Sequence, residues 1–355
     1  MSNLKALFQP LQLGPITLKN RIFMSAMTRN GSVPTNVPNG INVEYYQQRA
    51  AGGAGLIVME SILIVQQGSQ WQNAPGIWSE EQEGGAIFAQ LWHFGRLSHP
   101  NAPKQIASGQ PVYAPSAIVA RGGQFRFLAG QPGYITPTAI ADPHTLLSQD
   151  PRHVRGGSVQ NRAWFALEVV KIAADIWGAD RVGIKLNPVA GYNDVGYGHD
   201  FKCQEVYTLA DQWNRMPLQE TLDTFRYLIS ELDNLGIAYV ALVRYAESLD
   251  PVIDGARRRT KHDVLSRYAP LVKNPATRVF ANASFMGKEA SRYVEDGEVD
   301  GVFFGILWVA NPDFMKRLEK GESLEENNNF MTLTGYGGLE SDERQGYVNY
   351  PAAMF

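Results

Sequence analysis

The densest chemistry in the chain lies in residues 86–100, AIFAQLWHFGRLSHP. The apolar run Ala86-Ile87-Phe88-Ala89 has the pattern of a strand buried on both faces. It ends by delivering Gln90, Trp92, His93 and Arg96. An amide, two rings and a guanidinium where a buried strand surfaces suit a flat ligand that needs stacking and hydrogen bonds. They also suit an ordinary polar strand end. Other apolar runs finish in the same way: RIFMSAMTR (21–29) in Thr28 and Arg29, AGLIVMES (54–61) in Glu60 and Ser61, and RVGIKLNP (181–188) in Lys185 and Asn187.

Such ends need elements that bring them together. Helical patterns follow the strand runs: INVEYYQQRAAGG (41–53), stopped by paired glycines, then NRAWFALEVVKIAADIWGAD (161–180), PLQETLDTFRYLISELDNLG and KHDVLSRYAPLVKN. IAYVALVR, TRVFANAS (277–284) and GVFFGILW (301–308) add strands, while KEASRYVEDG and PDFMKRLEKG add helices. Strands alternating with helices predict an α/β fold, a parallel (β/α)8 TIM barrel with its active site at the C-terminal strand ends. Seven strands are recognisable, near 21–25, 55–60, 86–91, 181–186, 237–243, 278–282 and 301–305. The barrel is therefore expected to be incomplete, lacking its fourth strand, because 141–160 (ADPHTLLSQDPRHVRGGSVQ) contains no strand run. QLGPITLKN (12–20) reads as a short hairpin. The Pro- and Gly-rich stretch 101–140 reads as a loop or hairpin excursion over the barrel mouth, and 197–215 as an inserted surface segment. The crossover between Ser61 and Ala86 is short, since only SEEQ is helix-like there.

A chain of 355 residues, 44% hydrophobic, is long enough to form this barrel as one domain over 1–355. A net charge of −3 gives no electrostatic case for nucleic acid or an anionic membrane. Cys203 is the only cysteine, so a reducing compartment is expected. No apolar span reaches membrane length and the first 15 residues lack a signal-peptide core. The expectation is a soluble cytoplasmic protein, monomer or homodimer, without a metal site.

At AMTR, EYYQQRA, GGAGLIVMES, QLWHFGRLSHP, GGSVQNRAWF, RVGIKLNP, GYND, ANPDF and GYVNYP the chain resembles the old yellow enzyme family, flavin-dependent ene-reductases on a (β/α)8 barrel. The likeness runs in order from about residue 8 to 351, and PTNVPN, QNAPGIWS and GIKLNP are typical of the fungal branch, which implies a place in fungal secondary metabolism. The resemblance implies FMN as cofactor, NADPH as hydride donor and an activated alkene as small-molecule substrate. It implies that Thr28 bonds the flavin C4 oxygen, Gln90 contacts the pyrimidine edge, and Lys185 sits near N1, where a cation stabilises the anionic reduced flavin. Ala26 and Met27 would supply backbone contact on the ring, Ser61 a wall of the site, and Trp92 a wall of the substrate pocket. Asn282, Ala283 and Ser284, with Gly305 and Ile306, match the strand-end segments that cradle the phosphate, which backbone N–H groups bind without a side-chain charge. Second readings stay open: Lys185 as a structural ion-pair partner, Trp92 as packing, His93 and His99 as loop-shaping residues, and GYND as a turn.

Three departures accompany the resemblance. The helix expected before Gly84 is absent, and the join between ADPHT and GGSVQNR is too short. The family carries a barrel strand there with a His-x-x-Asn-x-Tyr motif, whose His and Asn clamp the substrate oxygen and whose Tyr delivers the proton. That motif is missing, for His144 and His153 lack the Asn and Tyr partners, so the catalytic residues are unassigned. The third departure is the inserted 197–215. At the phosphate end, Ile306 stands where the family often has Arg, and Ser284 where Gly allows closest approach. An impaired or non-catalytic paralogue that binds flavin weakly is the alternative expectation.

Overall fold

The computed structural model describes residues 4–34, 36–68, 71–76, 88–114, 117–120, 133–140, 158–191, 217–253, 255–257, 259–326 and 344–353. An antiparallel hairpin of β1 (Leu11–Leu13) and β2 (Ile16–Leu18) comes first, turning at Gly14-Pro15. Gly14 has φ +49°, and a Cβ there would fall 2.0 Å from the Asp180 carbonyl oxygen, so only glycine fits this turn. Next come β3 (Ile22–Met24), α1 (Gly40–Ala51), β4 (Leu56–Leu63) and β5 (Phe88–Trp92). A capping box starts α1: the Asn39 side chain accepts from the Ile41 and Asn42 N–H groups, and the Asn42 side chain accepts from the Asn39 N–H. In the excursion, α2 (Pro103–Ala107) precedes β6 (Tyr113–Ala114) and β7 (Thr138–Ala139), which pair in parallel. Most of the chain between them lies outside the described residues.

The second half continues with α3 (Val159–Trp177), β8 (Gly183–Leu186), α4 (Leu218–Asn234) and β9 (Tyr239–Val243). A small hairpin of β10 (Val252–Ile253) and β11 (Ala256–Arg257) leads to α5 (Val264–Tyr268) and β12 (Arg278–Asn282). The last elements are α6 (Gly287–Glu295), β13 (Gly301–Phe304), α7 (Ile306–Ala310) and α8 (Phe314–Lys320).

Seven strands form one parallel sheet in the order β5-β4-β3-β13-β12-β9-β8. The first and last strands of the series, β3 and β13, are neighbours, as in a (β/α)8 barrel, and the sheet curls into part of one. Each strand falls on an apolar run of the sequence. Among the described residues β5 and β8 are the open ends, and the strand missing from the sequence belongs between them. The inserted 197–215 and most of 141–160 lie outside the described residues.

The central strands are covered on both faces, which is why they read as continuous apolar runs. β5, expected to be buried on both faces, instead exposes Ala89 and Leu91 because it is an open end of the sheet among the described residues. Inside, Leu11, Leu13 and Leu18 of the hairpin pack on Phe23, Leu56, Tyr239, Phe280 and Phe303 and close the N-terminal end. Outside, Ile22, Met24, Val240, Leu242 and Val302 pack with Leu167, Val170, Leu228, Ile229 and Leu232 of the helices. The inner layer sets rings against glycines on adjoining strands: a Cβ on Gly301 would lie 2.2 Å from the Phe23 ring, and one on Gly183 2.2 Å from the Tyr239 ring. Gly301→Ala is therefore expected to cost about 1–3 kcal/mol by overpacking, seen as a lower melting temperature with unchanged far-UV circular dichroism. On α3, which follows the open position, Phe165, Val169, Ile172, Ile176 and Trp177 stay exposed on the face away from the core.

Candidate functional site

Strand alternation delivers Ser25, Gln90 and Lys185 to the inner side of the barrel's C-terminal end, two residues beyond Phe23, Phe88 and Gly183. In β4 the alternation is broken. Val58 pairs with Phe88, yet Ser61 pairs with Gln90, so one extra residue is accommodated in a β-bulge. The bulge turns Ser61 toward Gln90 and sends Glu60 to the outside. Ser61 Oγ donates to Gln90 Oε1 at 2.6 Å. That bond leaves the Gln90 NH2 without a protein acceptor among the described residues.

Lys185 spans the opening, its Nζ donating to Ser25 Oγ at 3.2 Å. No carboxylate pairs with it among the described residues, so the ion-pair reading of Lys185 finds no partner there. Crowding by protein lowers its pKa to about 8, although the side chain still reaches solvent in the mouth. Two residues on, Asn187 Oδ1 is buried with no hydrogen-bond partner among the described residues.

The loop carrying Ala26, Met27 and Thr28 is anchored just beyond Thr28. Glu60 Oε2 accepts from the N–H groups of Arg29 at 2.8 Å and Asn30 at 3.0 Å. Burial raises the Glu60 pKa to about 7, outweighing the backbone donors and the Arg29 charge, which favour the carboxylate. Its backbone N–H donates to the Tyr46 hydroxyl at 2.7 Å, and the Tyr347 hydroxyl reaches its Oε1 at 3.4 Å. The Arg29 guanidinium lies over the Tyr45 and Tyr347 rings, 5.0 and 4.7 Å from their centroids, and donates to the Gly346 carbonyl. The GYVNYP segment near the C-terminal end of the chain is thus a brace for the Thr28 loop.

Across the mouth, β12 and β13 end side by side. Asn282 is in register with Phe303, and its Nδ2 donates to the Phe303 carbonyl at 2.9 Å. Ala283 (φ 90°) and Ser284 (φ 52°) occupy the left-handed region, a strained conformation for residues with side chains. The N–H groups of Ala283, Ser284 and Phe285 donate to no protein acceptor among the described residues. On the adjoining strand a Cβ on Gly305 would lie 3.0 Å from Met27 Sδ, which brings the β3 and β13 exits together, and the Ile306 side chain is exposed. Arg244, directly after β9, bonds the carbonyls of Ala283 and Ser284 at 2.9 Å each. Nothing in the local sequence marks Arg244 as part of this site.

Trp92 is half-buried and packs on Phe94, centroids 3.9 Å apart, in a cluster with Leu63, Trp71, Ala74 and Leu97. His93 shapes its loop: one ring nitrogen lies 2.7 Å from Gln67 Oε1 and the other accepts from the Gly95 N–H. His99 accepts from the Asn101 N–H in the same manner, and burial lowers the pKa of both imidazoles. Arg96 donates to the Ile118 carbonyl and ties the excursion to the mouth. Residues 192–194 of GYND, His144 and His153 lie outside the described residues.

A flat ring with carbonyls along one edge and a phosphate tail fits this donor set. A cation and a free amide suit such a ring edge, and unpaired backbone N–H groups suit a phosphate. Residues 6–131 match the model of the NADH:flavin oxidoreductase / NADH oxidase family. The flavin oxidoreductase hxnT of Emericella nidulans is 27% identical, the match covering 100% of this chain and 99% of that protein. In sequence and in fold the chain is similar to the old yellow enzyme family. Among old yellow enzyme relatives, the probable inactive dehydrogenase easA of Claviceps fusiformis is 27% identical over 97% of this chain and 94% of its own. The solved structure of morphinone reductase in complex with tetrahydroNAD superposes with a TM-score of 0.73, at 26% identity over 98% of each chain. The hxnT alignment runs to 411 positions against a chain of 355 residues, so that relative has stretches with no counterpart here. The likeness to old yellow enzymes supports an FMN-dependent oxidoreductase that works with a nicotinamide. Among the described residues no helix is long and apolar enough to cross a membrane, and no cluster of metal-ligating side chains occurs.

Proposed function

We propose that this protein takes hydride from NADPH at a bound FMN and reduces activated α,β-unsaturated alkenes in the cytoplasm, within fungal secondary metabolism. The observation that carries the reading is the Lys185 ammonium, crowded by protein and without a carboxylate partner among the described residues. Lys185 is exposed at the mouth, so its charge is solvated there and available to electron density that a ligand brings. When bound, FMN supplies the hydride carrier between nicotinamide and alkene. Lys185 would hold positive charge at the ring's N1 edge, and Gln90, oriented by Ser61, would donate its amide to the pyrimidine carbonyls. Thr28 would donate at C4, held by the Glu60 anchor, with Ala26 and Met27 against the ring. The backbone of Asn282, Ala283, Ser284, Gly305 and Ile306 would bind the phosphate, and Trp92 would wall the substrate side.

Lack of the His-x-x-Asn-x-Tyr motif removes the donors that polarise the substrate oxygen and the residue that delivers the proton. Each missing donor is expected to cost ~10² to 10³ in rate. A second reading, flavin binding without useful ene-reduction, is supported by that loss and by a relative named probable inactive. The test is to purify the protein gently and record flavin absorbance, then to reduce it anaerobically with NADPH or NADH and add an enone. A yellow protein bleached by NADPH and slowly recoloured by the enone supports the first reading. Bleaching without recolouring supports the second, and colourless protein that takes up no FMN contradicts both.

A further inference from the structure

We propose that Arg244 is the positioning residue of the phosphate end: it holds the 283–285 turn so that its N–H groups face an anion, doing through the backbone what an arginine at position 306 would do directly. The inference rests on the flavin reading above. The Arg244 backbone N–H first joins β9 to β12 by donating to the Asn282 carbonyl at 3.1 Å. Its side chain then makes four hydrogen bonds: Nε to the Ala283 carbonyl at 2.9 Å, Nη2 to the Ser284 carbonyl at 2.9 Å, and Nη1 and Nη2 to the Glu289 carboxylate at 2.5 and 2.8 Å. The guanidinium also lies 3.6 Å from the Phe285 ring centroid.

Peptide planarity turns these contacts into a directional device. The C=O of residue 283 and the N–H of residue 284 belong to one rigid plane and point in opposite directions. Drawing both carbonyls to one guanidinium therefore drives the N–H groups of Ser284 and Phe285 the other way. Those N–H groups have no protein acceptor among the described residues, and the turn holds two successive non-glycine residues at positive φ. A strained turn with its donors unspent, secured by a fully engaged arginine, matches an anion-binding nest rather than a packing contact. Glu289 neutralises the guanidinium, so attraction comes from fixed dipoles and FMN affinity should fall little with salt.

The experiment is titration of FMN and of riboflavin, which lacks the phosphate, by quenching of flavin fluorescence at low and high salt. Wild type should prefer FMN. Arg244→Ala should weaken FMN binding at least tenfold while changing riboflavin binding less than twofold, and Arg244→Lys, which cannot fork to two carbonyls and a carboxylate, should recover only part of the loss. Equal losses for both flavins, or unchanged FMN affinity, would overturn the assignment. Glu289→Gln covers the case in which Arg244→Ala does not fold: it spares the bonds to the carbonyls and exposes the guanidinium charge. It should keep the FMN preference and make it steeper in salt, and loss of the preference in this variant would count against the clamp. A wild type that binds neither flavin contradicts the flavin reading itself, whereas a wild type that binds FMN and riboflavin equally contradicts only the role of the phosphate turn.

Discussion

Lys185→Met is expected to impair flavin chemistry while leaving the flavin-free protein as stable at neutral pH, or slightly more so. Protein crowding lowers the Lys185 pKa to about 8, from an unfolded value of 10.5, so the unfolded chain binds more protons between those limits. Stability from this group therefore rises with pH from about 8 to 10.5, and below that window its charged form is a net cost to the fold. Because the side chain is exposed and water screens its charge, removing it should raise the melting temperature of flavin-free protein at pH 7 only slightly. Loss of a charged hydrogen bond to reduced flavin, about 1.5–3 kcal/mol, corresponds to roughly 30–65 mV for a two-electron couple. The midpoint potential should fall by that amount, while Lys185→Arg largely preserves it. Potentiometry with a reference dye and thermal unfolding on the same preparations check both halves. An unchanged potential in Lys185→Met would remove Lys185 from the site and leave the ring-edge assignment to Thr28 and Gln90.

Glu60→Ala should be the most destabilising single change near the site, since two buried backbone donors lose their acceptor at about 1–3 kcal/mol each. It strands the Arg29 and Asn30 N–H groups and leaves the buried Arg29 guanidinium without its carboxylate neighbour. Glu60→Gln keeps an acceptor for those N–H groups and should lose much less. The pair also differs in pH dependence. Burial raises the Glu60 carboxyl from 4.5 in the unfolded chain to about 7, so the folded protein binds the extra proton between those values. Its stabilising contribution is complete below pH 4.5 and is lost as pH rises through 7. Wild type minus Glu60→Gln should therefore show stability declining from pH 4.5 to 7 and flat above, by chemical denaturation at a series of pH values. A difference that is flat throughout would mean that Glu60 stays ionised in the fold. Because Glu60 anchors the loop just past Thr28, Glu60→Ala should also weaken FMN binding in whatever fraction remains folded.

What the sequence determined by itself was the frame. Strands buried on two faces have to be continuous apolar runs, and all seven runs became strands in one parallel sheet. The Gly14-Pro15 turn is a local device, readable because its strands adjoin it; the Asn39 cap is as local but emerged only in the structure. The expected shortfall of one strand has the same root, since 141–160 has no run from which a buried strand could be made, and most of that stretch lies outside the described residues. Tertiary structure alone decided which polar strand-end residues meet. Even alternation along β4 would set Glu60 on the same side as Val58; the bulge reverses this, giving Ser61 to Gln90 and Glu60 to the backbone of Arg29 and Asn30. The bracing of that carboxylate by Tyr347, and the Arg244 clamp on Ala283 and Ser284, join residues 287, 39 and 40 positions apart. Contacts of that span leave no period or turn signal in the chain, because they form only when the sheet curls and brings its strand ends around one mouth.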